Sequence, residues 1–369
     1  MADHNPAADD RGMNEPVLEV RELRKYYPIT RGFLQRTVGQ VKAVDGVSFS
    51  LRRGETLALV GESGCGKTTA GRCVLRAIEP TGGQILFRKD AGGPAVDMMA
   101  LDTNELRSIQ RYMGMIFQDP YSSLNPRMTV KEIIGEPFVT RKLVSNSREL
   151  ESRVADLLRS VRLDPSYMGR YPHAFSGGQR QRIAVARALA LKPNLVVADE
   201  PVSALDVSVQ AQILSLLKEL QAELQLTYLF ITHNLAVVEY LCDRVAVMYV
   251  GQIVELGRSE AIFARPQHPY TEALLSAVPV IDVDDKGRRR ERILLEGEVA
   301  DPANVPPGCP FHPRCPYAQA ICRTEVPPWV DVTGTDQSPH FSRCHFAKEL
   351  TLQGVSKAAG AAPAHTVVA

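Results

Sequence analysis

The sequence has almost no net charge, because 43 Lys and Arg residues are balanced by 42 Asp and Glu residues. This balance excludes the strong basic field on which sequence-independent binding to nucleic acid or anionic lipid depends. The chain also lacks any run of the roughly 18–20 apolar residues that a membrane-spanning helix needs. Residues 1–16 carry four acids and no apolar core, unlike a secretory signal. We therefore expect a cytosolic chain without a nucleic-acid partner, whose cysteines are thiols or metal ligands.

Proline is unevenly distributed and divides the chain into two parts. Of the 25 prolines, twelve precede residue 266 and thirteen lie in the much shorter remainder. The length suits about two domains of roughly 150 residues each. We predict a main domain over 17–265, a Cys- and Pro-rich C-terminal module over 266–349, and disordered tails over 1–16 and 350–369.

Short β-type runs alternate with helical runs through the main domain, which predicts an α/β fold. One helix is indicated by an apolar stripe that runs from Val209 to Leu224. The predicted strands are Val17–Val20, Val47–Leu51, Thr56–Val60, Gln84–Phe87, Gly114–Phe117, Leu195–Ala198 and Tyr228–Thr232.

A phosphate-binding loop is predicted directly after the strand Thr56–Val60. The segment Gly61–Thr68 reads G-E-S-G-C-G-K-T and matches the G-x-x-x-x-G-K-[ST] pattern between a strand and a helix. Glycines let successive backbone N–H groups surround phosphates, Lys67 adds positive charge and the Thr68 hydroxyl suits Mg²⁺. We interpret Cys65 as a small filler of the loop rather than a nucleophile.

Two adjacent acids, Asp199 and Glu200, follow the apolar strand that begins at Leu195. In this position Asp199 can reach Mg²⁺, and Glu200 can orient and deprotonate an attacking water. A third element, Ser176-Gly-Gly-Gln179, opens an apolar helix with small residues, which makes a second anion-binding helix end. Alone this short motif equally suits an ordinary helix cap.

These motifs, in this order, resemble those of the nucleotide-binding subunit of an ABC transporter. The resemblance implies a P-loop NTPase fold with a RecA-like core, an antiparallel β subdomain and a helical subdomain over about 119–184. It implies that Glu200, His233 and Gln118 are catalytic, and that Thr68, Gln118 and Asp199 hold Mg²⁺. Phe175 stands where the family usually has leucine, which keeps the position apolar.

The nucleotide-binding residues that the resemblance implies include an aromatic residue that stacks on adenine, for which Tyr27 is the candidate and Tyr26 the alternative. The implied set is Tyr27, Gly61, Ser63, Gly64, Cys65, Gly66, Lys67, Thr68, Thr69, Ser176, Gly177, Gly178, Gln179 and Asp206. Ser176–Gln179 matches the family's signature segment. In the family, ATP bound on one subunit is covered by the helix that begins at the signature segment of another subunit, so hydrolysis needs a dimer.

The segment Gln267–Tyr270, which reads Q-H-P-Y, and the following Cys- and Pro-rich stretch resemble dipeptide and oligopeptide importer ATPases. The resemblance implies a second homologous ATPase subunit, two permease subunits, an extracytoplasmic solute-binding protein and a location at the cytoplasmic face of the inner membrane. Related nickel and glutathione importers are alternatives. A soluble non-transport ABC ATPase is disfavoured, because no second nucleotide domain or long coiled-coil insertion is present.

Four of the seven cysteines, Cys309, Cys315, Cys322 and Cys344, cluster in the C-terminal module with C-x₅-C-x₆-C-x₂₁-C spacing. A module that buries few apolar residues of its own needs a cross-link or a bound metal to be stable, and a reducing cytosol disfavours disulfides. The spacing matches neither zinc knuckles nor common ferredoxin patterns. Resemblance to the peptide-importer ATPases favours a structural [4Fe–4S] cluster, with Zn²⁺ as the alternative and with His312 and His345 as non-ligands.

Overall fold

The computed structural model describes residues 15–32, 36–278, 293–333 and 339–355. The strands within these residues are β1 Leu18–Arg31, β2 Arg36–Leu51, β3 Thr56–Val60, β4 Gly82–Phe87, β5 Val96–Asp97, β6 Met113–Ile116, β7 Leu195–Asp199, β8 Thr227–Ile231, β9 Arg244–Tyr249, β10 Gln252–Arg258, β11 Val330–Asp331 and β12 Phe341–Ser342.

The helices connect these strands and cover the sheets. They are α1 Lys67–Val74, α2 Thr103–Gln110, α3 Val130–Thr140, α4 Ser147–Ser160, α5 Gly177–Leu189, α6 Val207–Leu224, α7 Leu235–Leu241, α8 Ser259–Ala264, α9 Pro269–Ser276 and α10 Ala320–Thr324. Among the described residues no helix combines the length and the apolar character needed to cross a bilayer.

The larger sheet has eight strands in the order β11-β12-β10-β9-β3-β8-β7-β6. From β6 to β9 the neighbouring strands are parallel, whereas β10, β12 and β11 pair antiparallel at the other edge. Every residue of β3, β7 and β8 is buried, as expected for parallel strands covered on both faces. Successive residues of β3 enter opposite cores: Ala58 packs on one face of the sheet, and Leu57 and Leu59 on the other.

The smaller sheet is antiparallel, with the order β2-β1-β4-β5. Its buried residues share a core with α1 and with one face of the larger sheet. The α/β fold predicted from the sequence is therefore confirmed, and each of the seven predicted strands overlaps an observed one. The helices α3 and α4 lie within about 119–184, where the helical subdomain was expected, and α5 begins there and extends to Leu189.

Among the described residues, the C-terminal part of the chain has no hydrophobic core separate from that of the main domain. Strand β12 pairs with β10 in the larger sheet, and Tyr270, Phe311 and Cys322 belong to the same buried cluster as α5 and α6. A separate Cys- and Pro-rich module over 266–349 is thus not confirmed, because these residues bury their apolar side chains against the larger sheet.

The predicted tails lie mostly outside the described residues. Of the C-terminal tail, residues 350–355 are described. Leu352 is buried, and the backbone N–H of Gln353 donates to Glu272 Oε1 at 2.7 Å. The expectation of disorder is wrong for these residues, because they pack against the body of the protein.

Candidate functional site

The phosphate loop Gly61–Thr68 joins the end of β3 to the start of α1. Gly61 and Gly66 have φ values of +152° and +104°, in the region where glycine is favoured. A Cβ atom on Gly66 would lie 1.9 Å from the Ala43 carbonyl oxygen. At Gly61 it would lie 2.1 Å from the carbonyl oxygen of Met248. Larger residues therefore cannot form this loop without moving the neighbouring backbone.

The side chain of Lys67 is buried beneath the loop that contains it. Its Nζ donates to the carbonyl oxygens of Gly61 (2.8 Å) and Glu62 (2.9 Å). Cys65 is also buried, and burial raises the pKa of its thiol although Lys67 opposes the rise. Cys65 therefore stays protonated at neutral pH, as expected for a small filler rather than a nucleophile.

Thr68 and Asp199 form the oxygen-rich part of the site. The Thr68 hydroxyl donates to Asp199 Oδ1 at 2.8 Å, and Arg72 Nη2 lies 4.0 Å from Asp199 Oδ2. Burial raises the pKa of Asp199, whereas the hydrogen bond from Thr68 and the charge of Arg72 oppose this rise. A hydroxyl beside a carboxylate is a donor set that Mg²⁺ prefers, so these two residues fit that ion.

Glu200 brings together the three residues predicted to be catalytic. Its Oε2 accepts a hydrogen bond from Gln118 Nε2 at 3.0 Å, and its Oε1 lies 3.1 Å from Nδ1 of His233. Gln118 and His233 each stand two residues beyond a parallel strand, and Glu200 directly follows β7. The carboxyl ends of parallel strands meet at one edge of the sheet, which is why the three side chains converge. Gln118 contacts Glu200 rather than the Thr68–Asp199 pair.

Glu200 has a backbone φ of +47°, which is unusual for a residue with a side chain. Its N–H donates to the Ile231 carbonyl at 2.9 Å, and its own carbonyl accepts from Ser203 Oγ at 3.1 Å. These two bonds hold the strained backbone in place.

The two candidate adenine-stacking tyrosines differ in their contacts. Tyr26 donates its hydroxyl to Asp45 Oδ1 and is half-buried. Tyr27 is 37% exposed, and Lys25 Nζ lies 4.9 Å from the centre of its ring. The face of Tyr27 is therefore the more accessible to a ligand.

Ser176 and Gln179 form a capping box at the start of α5. Ser176 N–H donates to Gln179 Oε1 at 3.1 Å, and Gln179 N–H donates to Ser176 Oγ at 3.3 Å. Gly178 is buried, and a Cβ there would lie 2.5 Å from Val209 Cγ1. Asp206 caps α6 by accepting from the Val209 N–H, which lowers the pKa of its carboxyl.

The structure does not connect the signature segment to the phosphate loop. Within the described part of the chain, no hydrogen bond or ion pair joins Ser176–Gln179 to Gly61–Thr68. Ser176 is exposed, as are Ser63 and Gly64 at the tip of the loop, whereas Thr69 is half-buried in α1.

The four clustered cysteines line one small cavity. Cys309, Cys322 and Cys344 are buried and Cys315 is partly buried, around a space of about 20 Å³. Burial raises the pKa of Cys315 to about 12 and that of Cys344 to about 11. Both thiols are therefore protonated at neutral pH in this arrangement.

The cysteine cavity, in this arrangement, does not match the predicted cluster. A space of about 20 Å³ suits one water-sized sphere and is too small for four irons and four sulfides. Across the described residues, no three His, Cys, Asp or Glu side chains are placed so as to hold a metal ion. The [4Fe–4S] cluster is not confirmed. His312 and His345 each contact a backbone carbonyl oxygen, of Cys309 and Glu325 respectively, at 3.0 Å.

The sequence reasoning missed Arg72, the cation nearest to Asp199. A signal for it was available, because Arg72 stands four residues after Thr68 and therefore on the same face of α1.

Comparison with protein families identifies two matching regions. Residues 44–203 match the model of the ABC transporter family, and residues 254–322 match that of the oligopeptide/dipeptide transporter C-terminal region. The chain is 53% identical over 334 residues to the oligopeptide transport ATP-binding protein AppF of Bacillus subtilis. These aligned residues cover 90% of this chain and 98% of AppF. It is 53% identical over 318 residues to the probable peptide ABC transporter ATP-binding protein y4tS of Sinorhizobium fredii, covering 86% of this chain and 87% of that relative.

Solved structures show the same fold. A dimeric, post-hydrolysis state of the ATP-binding cassette MJ0796, bound to ADP and Pi, matches with a TM-score of 0.57 and 27% identity. The match covers 66% of this chain and 98% of that one.

Proposed function

The chain belongs to the ATP-binding subunits of oligopeptide and dipeptide ABC transporters, and from this we propose that it hydrolyses ATP to energise the import of short peptides. The observation that supports the proposal best is the Glu200 carboxylate, held between Gln118 and His233 beside a phosphate loop. This arrangement suits deprotonation of a water next to a bound phosphate.

The residues of the site bind the phosphates, hold Mg²⁺ or act on the attacking water. Lys67 and the N–H groups of the glycine-rich loop bind the phosphates of ATP, and Thr68 and Asp199 hold Mg²⁺. When bound, Mg²⁺ supplies positive charge that stabilises the developing charge on the phosphates. Glu200 accepts the proton of the attacking water, while Gln118 and His233 fix the orientation of the carboxylate. Most of the rate therefore comes from positioning and electrostatics.

A second ATPase chain completes the site, through Ser176–Gln179 and Asp206 of the opposing subunit. The exposure of Ser176 and the lack of a described contact between its segment and the phosphate loop of the same chain support this proposal. ATPase activity per chain should therefore rise steeply with concentration. Full activity in a dilute sample that light scattering shows to be monomeric would contradict the dimer.

The remaining partners are two permease subunits and an extracytoplasmic solute-binding protein, which place the chain at the cytoplasmic face of the membrane. The test is transport by the reconstituted complex with di-, tri- and longer peptides, and with nickel and glutathione as alternatives. Uptake of peptides coupled to ATP hydrolysis supports the proposal. Uptake of nickel or glutathione but not of peptides would assign a related importer. An ATPase rate that is unchanged by the permease subunits would indicate a non-transport ATPase.

The four clustered cysteines are proposed to bind a metal, as a [4Fe–4S] cluster or as Zn²⁺. Their shared position around one cavity supports a common ligand, although either group requires the side chains to move. Anaerobic purification, absorbance near 400 nm and metal analysis test this. Iron together with sulfide would assign the cluster, and zinc without iron would reject it. Absence of both metals would reject the metal site altogether.

A further inference from the structure

The Q-H-P-Y segment and the cysteine-rich stretch both contact the phosphate loop, at Glu62. Arg314 forms two hydrogen bonds with the Glu62 carboxylate, from Nη1 to Oε2 (2.7 Å) and from Nη2 to Oε1 (3.0 Å). The hydroxyl of Tyr270 accepts the backbone N–H of Glu62 at 2.8 Å. The side chain and the backbone of one loop residue are therefore both held by residues far along the chain.

Both anchoring residues are themselves rigidly placed. The Arg314 side chain is only 7% exposed and ends the 3₁₀ turn His312–Arg314, directly before Cys315. The Tyr270 ring is fully buried and packs against Tyr249 and Phe311, with ring centres 4.7 and 5.4 Å away. A planar guanidinium bound through two parallel hydrogen bonds fixes direction as well as distance.

The position of Glu62 affects both the shape and the charge of the phosphate loop. Its carbonyl oxygen accepts from Lys67 Nζ, so a shift of Glu62 also moves the lysine that meets the phosphates. Its carboxylate carries negative charge within a loop that must receive a polyanion. Without Arg314 that charge would be partly buried and unpaired, and it would repel the phosphates of ATP.

We infer that Arg314 is a positioning residue for the ATP site, which holds the phosphate loop in shape and neutralises Glu62. The inference rests on the proposed role of Gly61–Thr68 in binding ATP. Residues near the C-terminus therefore contribute directly to the affinity for ATP. Tyr270 supports the same loop by accepting the backbone N–H of Glu62.

The test compares Arg314→Met, Arg314→Lys and the control Arg323→Met in the full chain. Arg323 is exposed on α10 in the same part of the sequence. ATP affinity is measured by titration with Mg-ATP, and KM and kcat by the ATPase activity of the assembled transporter. We expect Arg314→Met to raise Kd and KM about tenfold, as for loss of a hydrogen bond between charged groups, with kcat at saturating ATP unchanged. Arg314→Lys should be intermediate and Arg323→Met should match the wild type.

A second substitution separates this role from a merely structural one. Adding Glu62→Gln to Arg314→Met removes the unpaired carboxylate and should recover most of the lost affinity. A lower melting temperature with unchanged KM, or a double variant as weak as Arg314→Met, overturns the inference. If Arg314→Met does not fold, an unchanged KM in Arg314→Lys overturns it equally. Lys67→Ala with normal ATP binding would instead refute the proposed function of the loop.

Discussion

Nδ1 of His233 lies 3.1 Å from a carboxylate oxygen of Glu200, at the carboxyl edge of the parallel strands. The other carboxylate oxygen accepts from Gln118, so both oxygens of Glu200 are oriented by neighbouring side chains. Three loops that follow different strands therefore converge on one carboxylate, which we propose is the proton acceptor. Its orientation matters as well as its presence, because a general base must lie within hydrogen-bonding reach of the water it activates.

Replacement of Glu200 by Gln should abolish turnover and preserve ATP binding. The amide keeps the shape of the side chain but cannot accept the proton of the water, so we expect a loss in kcat of roughly 10²- to 10⁴-fold. Single-turnover hydrolysis and Mg-ATP titration measure the two effects separately. Glu223→Gln, an exposed change on α6, is the matched control. Hydrolysis by Glu200→Gln at near wild-type rate would show that another group is the base.

Replacement of Lys67 by Ala should weaken nucleotide binding itself. The phosphates lose a charge-assisted hydrogen bond, which predicts an affinity lower by roughly 10- to 100-fold. Equilibrium titration with Mg-ATP provides the measurement, and the exposed Lys348→Ala is the control. Equal ATP affinities of Lys67→Ala and the wild type would show that Lys67 does not bind the phosphates.

The two adjacent tyrosines should respond differently to mutation. Tyr27→Ala removes the exposed ring and should lower ATP affinity about tenfold, because stacking of a base on an aromatic ring contributes roughly 1–3 kcal/mol. Tyr27→Trp should retain binding. Tyr26→Ala should leave the ATP affinity nearly unchanged, since Tyr26 is half-buried and its hydroxyl is bound to Asp45. Loss of affinity in Tyr26→Ala, with affinity retained in Tyr27→Ala, would reverse the assignment.

Tyr26 should also make the free energy of unfolding depend on pH under alkaline conditions. Burial and the hydrogen bond to Asp45 raise its pKa to about 12, above the value of 10.0 for an unperturbed tyrosine. The stabilisation is therefore complete below about pH 10 and is lost as pH rises toward 12, because the unfolded chain releases the proton first. The difference in unfolding free energy between wild type and Tyr26→Phe, from urea titrations, should shrink over this interval. A constant difference would contradict the coupling.

The part of the site that follows strand ends was expected from the predicted strands together with the resemblance to ABC transporter subunits, which supplied the roles of Gln118 and His233. Gln118, Glu200 and His233 each follow a predicted strand, and parallel strands bring their ends together. The ion pair between Arg314 and Glu62 was not predictable in this way, since 252 residues separate its members and no periodicity links them.

The C-terminal fold was also less predictable, for a related reason. Strand β12 has two residues, too few to produce an alternating pattern, and it forms because β10 offers an edge. The sequence therefore indicated a separate module where the structure has an added edge to the main sheet. The close approach of Gly178 to Val209 likewise depends on how α5 and α6 pack, which only the tertiary structure determines.

The pairing of β10 with β12 constrains the order in which a growing chain can complete its fold. Leu256 faces Phe341, so about 85 further residues must be synthesised before the outer edge of β10 is covered. At translation rates of roughly 5–20 residues per second, that edge remains open for roughly 4–17 s on the ribosome. An open strand edge is a template for pairing between chains. Nascent or truncated chains that end before Phe341 therefore leave this edge of β10 open to pairing with other chains, whereas the finished chain covers it at Glu255 and Leu256 with its own residues.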